Sequence, residues 1–195
     1  MDSMITSAAF AAALISTATD FVGLVETREN AAWEDPTTIA SEKAKSDLLR
    51  QTMALFGWEP GEPYCAAFDA AVVYLTAQRL GLNPVKFVAL WTPHCMTNVR
   101  LFAKLGKLDD QPSIGALMLM RHGKTDSGHA GITADISGAF PNRMLANIEG
   151  NTSGTVKGDQ RQGDGIYLKA RNVFSNGDLK TQGWVSAATI LSFMS

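Results

Sequence analysis

The stretch that decides the fold is EPGEPYCAAFDAAVVYLTAQRLG, residues 59–81, in which a loop turns into a long apolar segment. Its first five residues include two prolines and a glycine, which oppose regular structure, and Pro63 suits the first turn of a helix. The apolar run then covers residues 66–80 and is closed by Gly81. We therefore predict a long buried helix with Cys65 at its N-terminus.

Helical patterns flank this stretch on both sides. Residues 7–25 are rich in Ala, Leu and Phe. Residues 41–56 begin at a good N-cap, Ser41, and are followed by a good helix stop, Gly57. A weaker helical pattern covers residues 93–104. The first 110 residues are therefore predicted to be mainly helical.

The texture of the sequence changes after residue 110, where short apolar runs are bounded by Gly, Asn, Asp or Ser. These runs predict strands at residues 115–121, 129–136, 144–149 and 165–171, with an edge strand at 184–186. Residues 150–165 are polar and rich in glycine, which is typical of an exposed loop. Helices first and strands second predict an α+β fold with an antiparallel sheet.

The 195 residues are 46% hydrophobic and 18% charged, which is ordinary for a globular protein of one domain. Within residues 1–195 we expect N-terminal helices over 1–60, the Cys65 helix and its successor over 61–110, and the sheet over 111–195. A net charge of −2 does not force a basic surface of the kind that binds nucleic acid, although it allows local patches, and we expect no nucleic-acid partner.

Two features bear on location. The apolar run at residues 8–15 follows no Lys or Arg, so we expect no signal peptide and synthesis in the cytoplasm. No apolar run approaches the roughly 20 residues of a membrane span, so we expect no integral membrane segment.

Cys65 and His129 are the candidate thiol and base of a nucleophilic site. A helix N-terminus favours the thiolate, and its free N–H groups can stabilise an oxyanion. His129 lies in SGHAG, residues 127–131, at the start of a predicted strand, where glycines allow close approach. The alternatives are a small buried Cys at the start of a core helix and a surface His at a strand end.

Glu149 and Asn151 are candidates for the group that orients the imidazole. They lie two residues apart, so both can point to one side of an extended strand. The alternatives are a solvated carboxylate at a strand end and a turn residue, since Asn151 also begins an Asn-Thr-Ser sequon. His94 and Cys95 are adjacent and diverge by about 100° in a helix, so a packing or lining role is expected. His122 is predicted to be an exposed turn residue.

Five motifs, in order, resemble the CHAP family of cysteine- and histidine-dependent amidohydrolases/peptidases. The motifs are GLVE at residues 23–26 with Asn30, GEPYCAAF at 61–68, PSIGALMLM at 112–120, GHAGI at 128–132 and IEGNT at 148–152. Tyr64 replaces the family's usual Trp, and residues 113–116 depart from its Gly-Asp strand entry.

The resemblance implies a papain-like fold in which Cys65 is the nucleophile and His129 the general base and then acid. Glu149 would orient His129, and Asn151 would be a further polar support. We also expect Tyr64, Trp91 and Gly128 to contact substrate. The expected cleft segments are residues 26–36, 91–97 and 151–164.

The implied activity is hydrolysis of amide bonds in bacterial peptidoglycan, with stem or cross-bridge peptides as the partner and no cofactor. The local acids Glu59, Glu62 and Asp69 do not form an Asp-rich calcium loop, so no metal is predicted. Two settings stay open, a phage-type lysin released by a holin and an antibacterial effector exported by a specialised secretion machine. A catalytically silent binding module on the same fold is the rival hypothesis, and the scissile bond and oligomeric state stay open.

Overall fold

The computed structural model describes residues 5–25, 40–139, 142–154, 163 and 165–194. The helices are α1 (Ser7–Thr19), α2 (Ala40–Ala54), α3 (Cys65–Arg79), α4 (Val85–Leu90), α5 (Cys95–Lys104) and α6 (Ala187–Leu191). The strands are β1 (Leu117–His122), β2 (Gly128–Ser137), β3 (Met144–Thr152), β4 (Gly165–Asn172), β5 (Ser175–Asn176) and β6 (Leu179–Val185).

The strands form one sheet in the order β4-β3-β2-β1-β6-β5, and every neighbouring pair is antiparallel. The predicted α+β class with helices first and an antiparallel sheet second is confirmed. The predicted edge strand near Trp184 is wrong in position, because β6 lies inside the sheet between β1 and β5. Both sides of β1 are therefore paired.

Two apolar cores lie on opposite faces of β1. Leu117 and Leu119 pack into the larger core with the helices, whereas Met118 and Met120 pack into a smaller cluster with Trp184. Successive side chains of a strand point to opposite faces, so a strand covered on both sides reads as a continuous apolar run. The sequence LMLM at residues 117–120 has that pattern.

Helix α3 lies at the centre of the larger core and contacts α1, α2, β2 and β3. Its alanines, Ala66, Ala67, Ala70 and Ala71, are fully buried and let its neighbours approach closely. Gly150 on β3 is part of this approach, since a Cβ there would lie 2.7 Å from Cβ of Phe68. The helix that carries Cys65 is thus held on several sides.

Trp91, expected to contact substrate, lies in the core instead. Only 2% of its surface is exposed, and its ring stacks on Phe87 with ring centroids 5.5 Å apart. Its indole Nε1 donates a hydrogen bond of 2.9 Å to the carbonyl of Ala66. Because Ala66 belongs to the first turn of α3, Trp91 anchors the end of the helix that carries Cys65.

Within the described part of the chain, none of the helices is both long and apolar enough to cross a lipid bilayer.

We expect Trp91→Phe to lower the free energy of unfolding by about 1–3 kcal/mol, because it removes a buried hydrogen bond and leaves a small cavity. Urea unfolding followed by circular dichroism measures the change. Phe174→Leu is the control, since Phe174 is half exposed and should change stability by less than about 0.5 kcal/mol. Equal stability of Trp91→Phe and the unmodified chain would contradict the anchoring role.

Candidate active site

Cys65 is the first residue of α3, and its thiol is free and almost fully buried. Tyr64 occupies the N-cap position, and no side-chain cap bonds to the first turn. The early N–H groups of a helix have no partner within the helix and carry a partial positive charge. The local structure therefore combines a thiol with hydrogen-bond donors suited to an anion.

His129 is buried at the start of β2 and contacts two ionisable side chains. Its Nε2 lies 2.8 Å from Oε2 of Glu149 on β3. The Cys65 thiol is close enough to act on the pKa of the imidazole. Glu149 occupies Nε2, which leaves Nδ1 as the ring nitrogen available to another partner. Antiparallel pairing of β2 with β3, which places Ile132 opposite Ile148, brings the imidazole and the carboxylate together.

Arg171 on β4 is the functional residue that sequence reasoning missed. Its Nε donates to Oε1 of Glu149 at 2.7 Å, and its terminal nitrogen donates to Oε2 at 2.5 Å. This bidentate pair is buried on both sides. The sequence contains no direct signal for this pair, because the burial of Glu149, which makes a nearby cation necessary, is known only from the structure. The strand that follows Glu149 supplies Lys169 and Arg171 as candidates.

The buried charges determine the protonation of this site. Burial acts to raise the pKa of Glu149, but the hydrogen bonds and charges of Arg171 and His129 outweigh it and lower the pKa to about 2. Burial acts to lower the pKa of His129, but the charge of Glu149 and the hydrogen bonds with Cys65 and Glu149 raise it to about 10. His129 is therefore a cation at neutral pH. Its charge is the counter-ion that a thiolate at Cys65 requires.

The glycines that flank His129 make room for specific neighbours. A Cβ on Gly131 would lie 2.5 Å from Cγ of Glu149. A Cβ on Gly128 would lie 2.6 Å from the carbonyl oxygen of Met120 and 2.9 Å from Sγ of Cys95. Glycine at these positions lets β2 pass close to both the carboxylate and α5.

A cavity of about 470 Å³ opens at Cys65, a size within the usual range for small-molecule sites. It is lined by Glu62, Pro63, Cys65, Pro93, His94, Cys95, Met96, Thr97, Arg100, Asp126, Ser127 and Gly128. Arg100 and Asp126 form an exposed ion pair of 2.5 Å within this wall. Gly128, one of the expected substrate contacts, therefore lines the cavity.

Tyr64 and Asn151, two further predicted site residues, are buried and do not line this cavity. Tyr64 is fully buried, and its ring packs edge-on against Trp58 with ring centroids 6.4 Å apart, so it supports the start of α3 from within the core. Asn151 is buried at an irregularity in the pairing of β3 with β4 and has a positive φ of 53°. Glu149, one of the two candidates for orienting His129, lies within hydrogen-bond distance of its Nε2.

Two of the expected cleft segments lie wholly or partly outside the described residues. These are residues 26–36, which include Glu26 and Asn30 of the first motif, and positions 155–162 and 164 of the third segment.

Cys95 is the first residue of α5 and lines the same cavity as Cys65. Its Sγ donates to the carbonyl oxygens of His129, at 3.2 Å, and Met120, at 3.5 Å. Burial raises the pKa of the Cys95 thiol well above its usual value, and the charge of Cys65 adds to this. Cys95 therefore supports the backbone of His129 as a neutral thiol.

His122, predicted to be an exposed turn residue, is buried at the end of β1. Its Nδ1 lies 3.6 Å from a carboxylate oxygen of Asp178. It does not line the cavity at Cys65.

Among the described residues, no cluster of three or more His, Cys, Asp or Glu side chains is arranged to hold a metal ion.

No protein-family model matches the chain, and no curated protein matches its sequence. What the arrangement can do chemically follows from its geometry. A thiol at a helix N-terminus beside a cationic imidazole, which a buried carboxylate holds in place, is suited to acyl transfer.

We expect Glu149→Gln to lower the free energy of unfolding at pH 5.5 by about 3–5 kcal/mol, because it leaves Arg171 buried without a counter-ion. The stabilisation by ionised Glu149 is present above pH 4.5 and is lost as the pH falls from 4.5 to about 2. The stabilisation by protonated His129 is present below pH 6.5 and is lost as the pH rises from 6.5 to about 10. Urea unfolding at pH 3, 5.5 and 9 measures the loss of stability on the acidic and on the basic side. In Glu149→Gln the free energy of unfolding should depend less on pH on both sides.

The matched control for this variant is Glu59→Gln, which neutralises an exposed carboxylate. Its free energy of unfolding should keep the pH dependence of the unmodified chain on both the acidic and the basic side. An unchanged profile in Glu149→Gln would contradict the electrostatic assignment.

We expect Gly131→Ala to raise the exposure of Glu149 and to destabilise the fold by about 1–3 kcal/mol, because its Cβ would overlap Cγ of Glu149. An NMR titration of the His129 ring should show a pKa below about 10, since the imidazole would lose its carboxylate partner. Ala134→Gly, elsewhere on β2, tests for a general effect on the strand. A His129 pKa unchanged in Gly131→Ala would show that the glycine is not needed for this contact.

Proposed function

We propose that the chain hydrolyses amide bonds in the peptides of bacterial peptidoglycan through an acyl thioester on Cys65. The observation that carries the proposal is the line of contacts from Cys65 to His129, Glu149 and Arg171 at the wall of a cavity. A nucleophile at a helix N-terminus facing a histidine on an antiparallel sheet is the papain-like arrangement that the CHAP resemblance implies. Cys65 and His129 carry the chemistry, while Glu149 and Arg171 hold the charge and orientation of the imidazole.

In the acylation step, the Cys65 thiolate attacks the carbonyl carbon of the scissile amide. The negative charge that develops on the carbonyl oxygen is stabilised by N–H groups at the start of α3. His129, as imidazolium, then donates its Nδ1 proton to the departing amine nitrogen, and the C–N bond breaks. The products of this step are a thioester on Cys65, a free amine and a neutral imidazole.

In the deacylation step, His129 accepts a proton from water as the water oxygen attacks the thioester carbonyl. Collapse of the tetrahedral intermediate breaks the C–S bond and releases a carboxylic acid. The thiolate and the imidazolium are restored together. Glu149 stays ionised throughout because Arg171 neutralises its charge, so it orients His129 and takes no proton.

The choice of peptidoglycan peptides rests on the five motifs and is supported by the charges of the cavity. Glu62, Arg100 and Asp126 supply both signs of charge next to Cys65. Peptidoglycan stems carry free carboxylates and, in many bacteria, free amines, which groups of both signs can bind. Trp91 and Tyr64 are left out of this substrate wall because both are buried in the core.

The proposed place of action is the cell wall or periplasm, with the chain released as a phage-type lysin or exported as an antibacterial effector. The same thioester chemistry serves an amidase, which cuts between muramic acid and L-alanine, and an endopeptidase, which cuts within or between stem peptides. The loops around the cavity select between these bonds.

We expect the purified chain to release soluble muropeptides from sacculi, and His129→Asn to reduce the release by about 10²–10⁴-fold through loss of the acid–base group. Mass spectrometry of the products identifies the scissile bond. His122→Asn is the matched control, because it replaces a second buried histidine that lies away from the cavity. Cys65→Ala should abolish release.

Two outcomes would overturn the proposal. Sacculi of several peptidoglycan types that yield no muropeptides would reject the hydrolase. Alkylation of Cys65 no faster than that of a free thiol, together with equal sacculus lysis by Cys65→Ala, would indicate the catalytically silent module instead.

A further inference from the structure

Asp69 is a fully buried carboxyl group that the proposed mechanism does not use. It lies on α3 four residues after Cys65, and neither of its carboxyl oxygens has a hydrogen-bond partner within the described residues. Residues four apart share one face of a helix, and helical side chains lean towards the N-terminus. The Asp69 carboxyl is therefore directed along α3 towards the thiol.

Ionisable groups from several elements surround Asp69. The charges that act on it are those of Cys65 on α3, His129 on β2 and Glu149 on β3. Its own charge in turn acts on Cys95 at the start of α5. His129 is the one cation in this set.

The charges of the buried ionisable side chains can balance one further negative charge. Arg171 and Glu149 cancel each other through their bidentate pair. His129 is then the remaining positive charge, whereas Cys65 and Asp69 are two acids that could each balance it. Ionising both would place an unbalanced negative charge in the core, which is strongly unfavourable.

We propose that Asp69 and Cys65 compete for the one negative charge that His129 balances, so that only one of the two acids carries it at a time. The exchange moves one proton, from Sγ of Cys65 to the Asp69 carboxylate, so the total charge of the site is unchanged. In this proposal Asp69 does not contact substrate. It acts on the reaction only through the charge of Cys65. The importance of this competition for hydrolysis rests on the proposed function.

The direction of the pKa of Asp69 supports this competition. Burial raises it well above the usual value of 3.8, and the charge of Cys65 raises it further, while His129 acts to lower it. The charges of Asp69 and Cys65 therefore oppose each other. Two acids that interact this strongly titrate as a pair, so a change at one must appear in the titration of the other.

The first experiment follows alkylation of Cys65 by iodoacetamide against pH, with peptide mass spectrometry to separate its adduct from that of Cys95. In Asp69→Asn the competing acid is gone, so we expect the midpoint to fall by about one pH unit or more. Alkylation one unit below the midpoint of the unmodified chain should then be several-fold faster. Asp135→Asn, at an exposed position of β2, is the matched control and should leave the midpoint in place.

An unchanged midpoint in folded Asp69→Asn would overturn the proposal, as would an equal shift in Asp135→Asn. Circular dichroism checks the fold. Asp69→Ala is the second variant, because α3 already holds alanines at neighbouring buried positions and alanine favours helix.

The reciprocal experiment leaves Asp69 in place. The ¹³C signal of its carboxyl carbon is titrated in the unmodified chain and in Cys65→Ser, where the serine stays neutral. Removing the competing thiolate should lower the pH midpoint of the Asp69 signal, and an unchanged midpoint would contradict the competition. Neither titration needs peptidoglycan, so shifted midpoints without muropeptide release would keep this inference and reject the proposed function. Muropeptide release with unchanged midpoints would reject this inference and keep the proposed function.

Discussion

The bidentate ion pair between Arg171 and Glu149 is the interaction on which the candidate site depends. It keeps a buried carboxylate ionised where burial alone would neutralise it. The ionised carboxylate in turn holds His129 as a cation in the core. Each charge in the line is stabilised by the next one, so the charge of His129 on β2 depends on a guanidinium two strands away in the sheet, on β4.

The second requirement is a rigid position for α3. Alanines allow α1, α2 and the sheet to approach this helix, and Trp91 fixes its first turn through the Ala66 carbonyl. The thiol at the helix end and the imidazole at the strand start thus belong to packed elements. Two side chains on such elements keep their relative position without closure of a loop.

The sequence predicted what local pattern encodes. The α3 boundaries follow from the breaker-rich loop and Gly81, and the α+β class follows from the change in periodicity after residue 110. Helices α4 and α6 were missed because six and five residues are too short for a helical period to be seen. Arg171 and the burial of Trp91 were missed for another reason. Each is defined by a partner distant in sequence, and a single chain without aligned relatives does not reveal such pairs.

The buried charged groups of His129, Glu149 and Arg171 are separate from the polar side chains that line the cavity, and this separation has a consequence for engineering. Glu62, Thr97, Arg100 and Asp126 line the cavity but make no hydrogen bond or ion pair with Glu149 or Arg171. Under the proposed function, a library that randomises these four positions would test new acyl donors while His129, Glu149 and Arg171 keep their environment. Positions 128, 131 and 150 should stay fixed in any such library, since their glycines meet backbone or buried atoms closely. Under the proposed function, substrate selectivity could then be varied without changing the groups that set reactivity.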